Sequence, residues 1–427
     1  MARNRFLVGL IFLVFFVISL LSNILGPIVP DIIRTFSVNL GAAGLLVFAF
    51  FIAYGVMSIP AGFLVERYSE KLVMICAFAG AMVGSISFAL HPTYKMAFVS
   101  LFVIGVGMAM LQVAINPLLR VAGGEEHFAL NETIAQLIFG SASFLSPWIY
   151  SYLVVNLPEG AQPTNPLLAM LRRVTPASLP WVSLYWIFAA VAAVMVVVLS
   201  FSRFPAVQHT AEERPGSLDM YKGLVRRHLV WLYFLAIFAY VGSEQGTANW
   251  ISQFLSHYHG YDPHTAGARA VSWFWGLMTA GCFAGALLLR IFDSRYLLIG
   301  AATGALFMLS LGLFAPASVS VIALPLIGLF ASVMWPILIS LALNSVAEHH
   351  GSFTGILATG IMGGAIVTVV IGRIGDRLGL RLGMALLYLT FGYIWSVGFW
   401  SKPLINNATI ASEGKDAARA SVSPPLP

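Results

Sequence analysis

Apolar stretches of membrane-crossing length, cut by turn and charge signals, follow one another from Phe6 to Trp400. A spanning helix needs about 20 predominantly apolar residues. On that measure the pattern predicts twelve spans, at about 6–29, 40–63, 72–91, 95–119, 129–155, 181–203, 228–255, 266–290, 296–314, 318–346, 351–372 and 380–400. The first runs from Phe6 to about Val29, too long for a cleavable signal core, and reads as a span. Two connections stand out by length. Residues 156–180 are rich in Pro, and 204–227 carry Glu212, Glu213, Arg214, Pro215 and Gly216 at the midpoint of the chain.

The halves on either side of that midpoint echo each other. Ala61-Gly62 precedes a short loop with Glu66, Arg67 and Lys71, and Ala284-Gly285 precedes another with Arg290, Asp293 and Arg295. Asn116-Pro117 in the fourth span has a counterpart in Trp335-Pro336 in the tenth. A repeated six-span unit is the mark of a two-bundle transporter. The expected fold is an all-α membrane protein, with twelve transmembrane helices in two pseudo-symmetric six-helix bundles. The expected organisation is a first bundle at 1–203, a cytoplasmic linker at 204–227, a second bundle at 228–402 and a disordered tail at 403–427.

Composition secures the membrane reading. Of 427 residues, 59% are hydrophobic and 9% charged, with a mean hydropathy of +0.88; a soluble domain has about 25% charged residues. The net charge of +6 argues for no nucleic-acid partner, because Lys and Arg lie in the connections. With the N-terminus inside, inner segments hold fifteen of the 23 basic residues, which places both termini in the cytoplasm and the protein in the inner membrane. Arg373, Arg377 and Arg381 cluster on an outer connection against that rule. Cys76 and Cys282 read as buried packing residues. No phosphate-cradling loop, nucleophile–base pair or metal-ligand spacing occurs in the sequence. An enzyme, an ATP-driven pump and a metal site are therefore not expected, nor any cofactor beyond a coupling ion, H+ or Na+. The expected state is a monomer in the lipid bilayer.

Small residues four apart recur, as in Gly80/Gly84, Gly281/Gly285 and Gly300/Gly304, and let helices approach closely in lipid.

Chemistry enters with the polar residues inside spans. Glu244 sits at mid-depth of the seventh span, while the other carboxylates fall near span ends or in connections. An ionised group there costs at least about 2.5 kcal/mol even on the mildest insertion scale. Glu244, Gln245, Ala248, Asn249 and Ser252 form a polar stripe beside Trp250. Amides around a carboxylate, next to an aromatic plane, suit the hydroxyls and the apolar ring face of a sugar; the alternative is a protonated Glu244 clasping a neighbouring helix. Gln112 and Asn116 share a face of the fourth span, and Pro117 frees the carbonyl of Val113. They suit a polyol or an interhelical amide clasp. Asn23 (with Ser19) on the first span, Asn131 and Gln136 on the fifth, and Trp335 and Asn344 on the tenth are further candidates. Glu132 is expected to face the inner loop. Trp273 and Trp275 read as interfacial belt residues.

With these residues in view, the chain resembles the major facilitator superfamily, and within it the fucose–galactose–hexose symporter branch. GFLVERYSEK (62–71) resembles the superfamily's loop between spans two and three, with Glu66 where Asp is usual. LQVAINPLLRVAG (111–123), YVGSEQGTANW (240–250), MWPILISLALNSV (334–346) and IMGGAIVTVVIG (361–372) are similar to the branch's stretches in spans four, seven, ten and eleven. The resemblance implies alternating access and sugar uptake coupled to protons or sodium. It also implies a departure. The branch's fucose permeases carry an Asp late in span one and a Glu before the Asn-Pro, where this chain has Gly26 and Gln112, with Asp31 nearby beyond Pro30. That shifts the expected coupling role to Glu244.

The expectation is a transporter of a hexose or deoxyhexose. Gln112, Asn116, Gln245, Asn249 and Trp250 would hold the sugar, with Trp335 and Asn344 closing from the other bundle. An exporter of drugs or metabolites on the same scaffold is the alternative.

Overall fold

A computed structural model describes residues 5–124, 128–158, 165–204, 223–346 and 350–404. The side chains of Glu66, Asn116, Arg120, 128–130 and 350–352 lie outside that description. The regular elements among the described residues are all helical. In the first half, α1 (Arg5–Ser22) and α2 (Leu25–Phe36) make the first span. Spans two to five are α3 (Leu40–Tyr68), α4 (Glu70–Leu90), α5 (Tyr94–Gly123) and α6 (Phe128–Asn156). A short helix, α7 (Pro166–Val174), occupies the connection before α8 (Ser183–Phe201), the sixth span. In the second half, α9 (His228–His259) is the seventh span. The eighth joins a π turn at Pro263–Gly267 to α10 (Ala268–Leu288), and α11 (Ser294–Phe314) is the ninth. Spans ten to twelve are paired helices: α12 (Ala317–Ala331) with α13 (Met334–Leu343), α14 (His350–Thr359) with α15 (Met362–Leu378), and α16 (Leu380–Ala385) with α17 (Leu387–Trp400).

Eleven of these segments are long and apolar enough to cross a membrane. The twelfth is α9, the longest single helix at 32 residues, whose mid-length polar residues lower its hydropathy. The chain is a multi-pass membrane protein of two six-helix bundles. The expected linker at 204–227 falls largely on residues 205–222, and the expected tail on 405–427; both lie outside the described residues.

Four spans are broken where the sequence reading had them continuous, the twelfth at the single residue Leu386 between α16 and α17, and two of the other breaks have a cause in proline chemistry. A helical Pro clashes with the carbonyl four residues earlier and leaves it without a donor. Four residues before Pro27 stands Asn23, at the break between α1 and α2; four before Pro336 stands Ser332, at the break between α12 and α13. Breaks of this kind are tolerated at membrane depth where neighbouring protein surrounds them, and Asn23 and Ser332 are both buried. The third, at Gly360-Ile361, falls in a glycine-rich stretch with low helix propensity. Pro117, by contrast, sits in an uninterrupted α5.

Other expectations need correction. The first span continues past Val29 to Phe36, because Pro30 is accommodated inside α2, so Asp31 is part of a span and only 7% exposed. Cys76 and Cys282 are exposed on their helices rather than buried. Trp275 is buried, with its indole N–H unpartnered among the described residues; it stands two positions from exposed Trp273, and residues two apart do not share a helix face.

The halves meet along two seams, α3 with α15 and α6 with α10, and α2 also packs on α9. Exchanging the halves turns one seam into the other, since they pair spans two with eleven and five with eight. Successive crossings put the α2–α3, α4–α5, α9–α10, α11–α12 and α15–α16 connections on one face of the molecule, and the start of α1 and the end of α17 on the other.

Candidate functional site

The polar stripe of α9 is organised by its own hydrogen bonds. Asn249 donates through Nδ2 to the Gln245 backbone oxygen at 2.8 Å and to Gln245 Oε1 at 3.2 Å. Gln245 in turn donates through Nε2 to Glu244 Oε1 at 2.9 Å. The ladder Asn249–Gln245–Glu244 thus points its donors toward the carboxylate, which is partly buried while both amides are fully so. Glu244 is the seventeenth of the 32 residues of α9, so the charge lies halfway along the helix.

Two aromatic side chains complete this group. The Tyr240 hydroxyl sits against the Glu244 carboxylate. The Tyr240 ring lies 5.8 Å from that of Trp335 on α13. Trp335 therefore lies beside the stripe, and it comes from the same bundle rather than from the other. Tyr240 was missed by the sequence reading; its signal was its position four residues before Glu244, on the same face of the helix. The set gathers a carboxylate, two amides and aromatic surface in one place.

The remaining candidates divide. Trp250 is fully buried and donates to the Thr368 carbonyl at 3.3 Å, in the packing between α9 and α15; the structure makes it a packing residue. Asn344 lies at the end of α13, where its backbone oxygen accepts from Leu404 N at 2.7 Å. At 1.5 Å rise per residue it stands about 13 Å from Trp335 along the axis, too far to share one hexose. Asn23 donates to Ser143 Oγ at 2.8 Å, and Ser19 bonds that same hydroxyl at 2.6 Å. Together they clasp α1 to α6. Asn131 is buried against Gly123 at the start of α6, and exposed Gln136 donates to Glu132 at 2.9 Å. Neither reaches the stripe. Gln112 is half-buried on α5, in the opposite half from Glu244. The side chain of Asn116 lies outside the described residues.

One contact links the halves at the stripe itself. Gly26 of α2 lies directly on the backbone of α9. A Cβ at that position would penetrate the Ala248 carbonyl oxygen and come within 3.3 Å of Asn249 Cα. Helix backbones approach this closely in membranes only through residues without side chains.

Comparison with known proteins agrees with this architecture. The family model of the Major Facilitator Superfamily matches residues 11–368. A glucose/galactose transporter of Brucella abortus is 30% identical over 393 residues, covering 90% of each chain. An L-fucose-proton symporter of Escherichia coli is 27% identical over 394 residues, covering 86% of each. Among solved structures, a crystal structure of the E. coli fucose:proton symporter superposes with a TM-score of 0.65 at 24% identity, covering 94% of this chain and 99% of that one. At that identity the superposition speaks for the fold. The match across most of the length, with twelve helices in two bundles, establishes that the chain belongs to the Major Facilitator Superfamily.

Proposed function

We propose that the protein carries a hexose or deoxyhexose across the cytoplasmic membrane by alternating access, coupled to a cation through Glu244. The observation that carries this reading is the Asn249–Gln245–Glu244 ladder at mid-helix, flanked by Tyr240 and Trp335. Its support from kinship is the glucose/galactose transporter matched over 90% of both chains.

The sugar would lie between the bundles, against the stripe of α9 on one side and α5 with Gln112 and Asn116 on the other. Hydroxyls satisfy the amides, and the apolar ring face takes an aromatic plane. Glu244, neutralised by a proton or a bound sodium ion, is inexpensive to enclose; empty, it favours the state in which it meets water. That difference links ion occupancy to the conformational equilibrium, which is what coupling requires.

Uptake of radiolabelled hexoses and 6-deoxyhexoses into proteoliposomes, with proton and sodium gradients imposed separately, tests the reading. Accumulation driven by one gradient is the expected result, and Gln112→Ala should weaken sugar affinity by roughly 5- to 150-fold, since an unpaired buried group costs about 1–3 kcal/mol. No saturable sugar uptake under any gradient would sink the sugar assignment.

Orientation belongs to the same proposal. The face with the α2–α3, α9–α10 and α15–α16 connections is taken as outward, with the termini inside, from the basic-residue bias. A cysteine placed at His91, between α4 and α5, should react with an impermeant thiol reagent from outside; one at Arg226, before α9, should react from inside. The reverse accessibility would invert the topology.

A further inference from the structure

Asp31 and Asp376 stand in opposite halves near the same face, and each reaches across to the other half. Asp31 is carried by α2 and buried. It accepts from the Tyr150 hydroxyl at 2.5 Å and lies 2.9 Å from Nε2 of His264. Tyr150 belongs to α6 of the first half, but His264 belongs to the π turn that leads into α10 of the second. The other charged groups facing this cluster are Asp262, whose Oδ1 lies 3.8 Å from His264 Nδ1, and Arg34 at the end of α2. Asp376, on α15 of the second half, accepts from the backbone N–H of Leu40 at 2.7 Å and of Gly41 at 2.8 Å.

Leu40 and Gly41 are the first two residues of α3, in the first half. The first N–H groups of a helix have no intrahelical acceptor, and the helix dipole favours a carboxylate there. Asp376 therefore caps a helix of the other bundle. The room for it comes from Gly41, where a Cβ would come 2.8 Å from Asp376 Oδ2. One contact closes the end of the α6–α10 seam and the other the end of the α3–α15 seam, the two seams that exchange when the halves are swapped.

We propose that these are two latches holding the outer side of the transporter shut: Asp31 with Tyr150 and His264 on one seam, Asp376 with the α3 N-terminus on the other. This rests on the alternating-access reading with that face outward. Rocking the bundles apart on this face separates first-half groups from second-half groups, so both latches must break for the outer side to open. Breaking them in a dry interior would strand charges at high cost; opening instead exchanges protein partners for outer water. Asp31, His264 and Asp376 are thus positioning residues for the transport cycle, set apart from the sugar contacts on α9.

The test is a distance measurement on the full chain in lipid, with Cys76 and Cys282 replaced by Ser. Spin labels on cysteines at His91 and Ser318 report separation of the bundles on the latched face; labels at Tyr68 and Arg290 report the opposite face. All four are exposed. Asp376→Ala and His264→Ala should each raise the ratio of long to short His91–Ser318 distances about 10-fold, or about 1.4 kcal/mol. The double variant should raise it about 100-fold, because the sites share no partner. The Tyr68–Arg290 pair should shift the other way, which a purely structural defect would not produce. Exchanging the pair, as Asp31→His with His264→Asp, should return the distribution toward the parent. If Asp376→Ala does not fold, Asp376→Asn keeps one acceptor, removes the charge and should move the distances in the same direction. Unchanged distances in folded variants would overturn the proposal. The measurement needs no sugar: latches that move in a protein transporting no hexose would refute the substrate reading and leave the latches standing, whereas unmoved distances with intact hexose uptake would refute the latches alone.

Discussion

Glu244→Gln should abolish accumulation of sugar against its gradient while leaving binding, and exchange between equal pools, in place. The amide keeps the shape of the carboxylate and can still accept from Gln245 Nε2, the bond seen at 2.9 Å. What it loses is the capacity to take up a proton or sodium ion. A single charge moving through 100 mV is worth about 2.3 kcal/mol, enough at 1.4 kcal/mol per factor of ten to sustain about 50-fold accumulation. Uncoupling should bring the steady-state ratio of internal to external sugar down to about one, read as radiolabel retained in energised vesicles against vesicles with the gradient collapsed. Counterflow separates this from a folding defect, because exchange needs alternating access and sugar binding but no driving ion. If Glu244→Gln still concentrates sugar, coupling resides elsewhere. Asp31 is then the next residue to examine, being buried within a span, ahead of Glu132 at the start of α6 beside Gln136.

Much of this architecture was legible because lipid imposes a length on every crossing. The run lengths gave twelve spans, and α9 was recognisable through the same polar residues that set it apart from the other eleven. The ladder at Glu244 was legible too, since residues four apart share a helix face whatever the tertiary fold. What could not be read were pairings between distant segments. The partners of Asp31 lie 119 and 233 residues away, and its neighbour Pro30 suggested the end of a span rather than its interior. Asp376 binds backbone groups 335 and 336 residues earlier, and nothing local marks that. Trp250 misled for a related reason. Its place beside the stripe suggested a stacking plane, but its ring fills the space beside Gly372 on α15, where an added Cβ would come within 3.0 Å of it. The misplacement of Asn344 was avoidable, because nine residues of helix already separate it from Trp335 in the sequence.

Placing a carboxylate at Gly26 should disable this transporter. Gly26→Asp places a Cβ and a charged group against the Ala248 carbonyl, where the backbone of α9 leaves no volume even for a methyl. The closed arrangement of α2 on α9 could then form only if the helices moved apart. Overpacking of this kind costs about 1–3 kcal/mol in a well-packed interior, and the added carboxylate would also face a carbonyl oxygen without a donor. Gly26→Ala carries the steric part alone and should lower uptake by roughly 5- to 150-fold, since each 1.4 kcal/mol against the closed state is a factor of ten. Gly26→Asp should lower it further, whatever the external pH. Sugar binding from the side that opens when α2 and α9 part should survive in both, because the contact at Gly26 forms only in the closed arrangement. The His91–Ser318 distance should lengthen in Gly26→Ala, as it should when a latch is removed. Full uptake by Gly26→Asp would mean that α2 and α9 do not meet at Gly26 during transport.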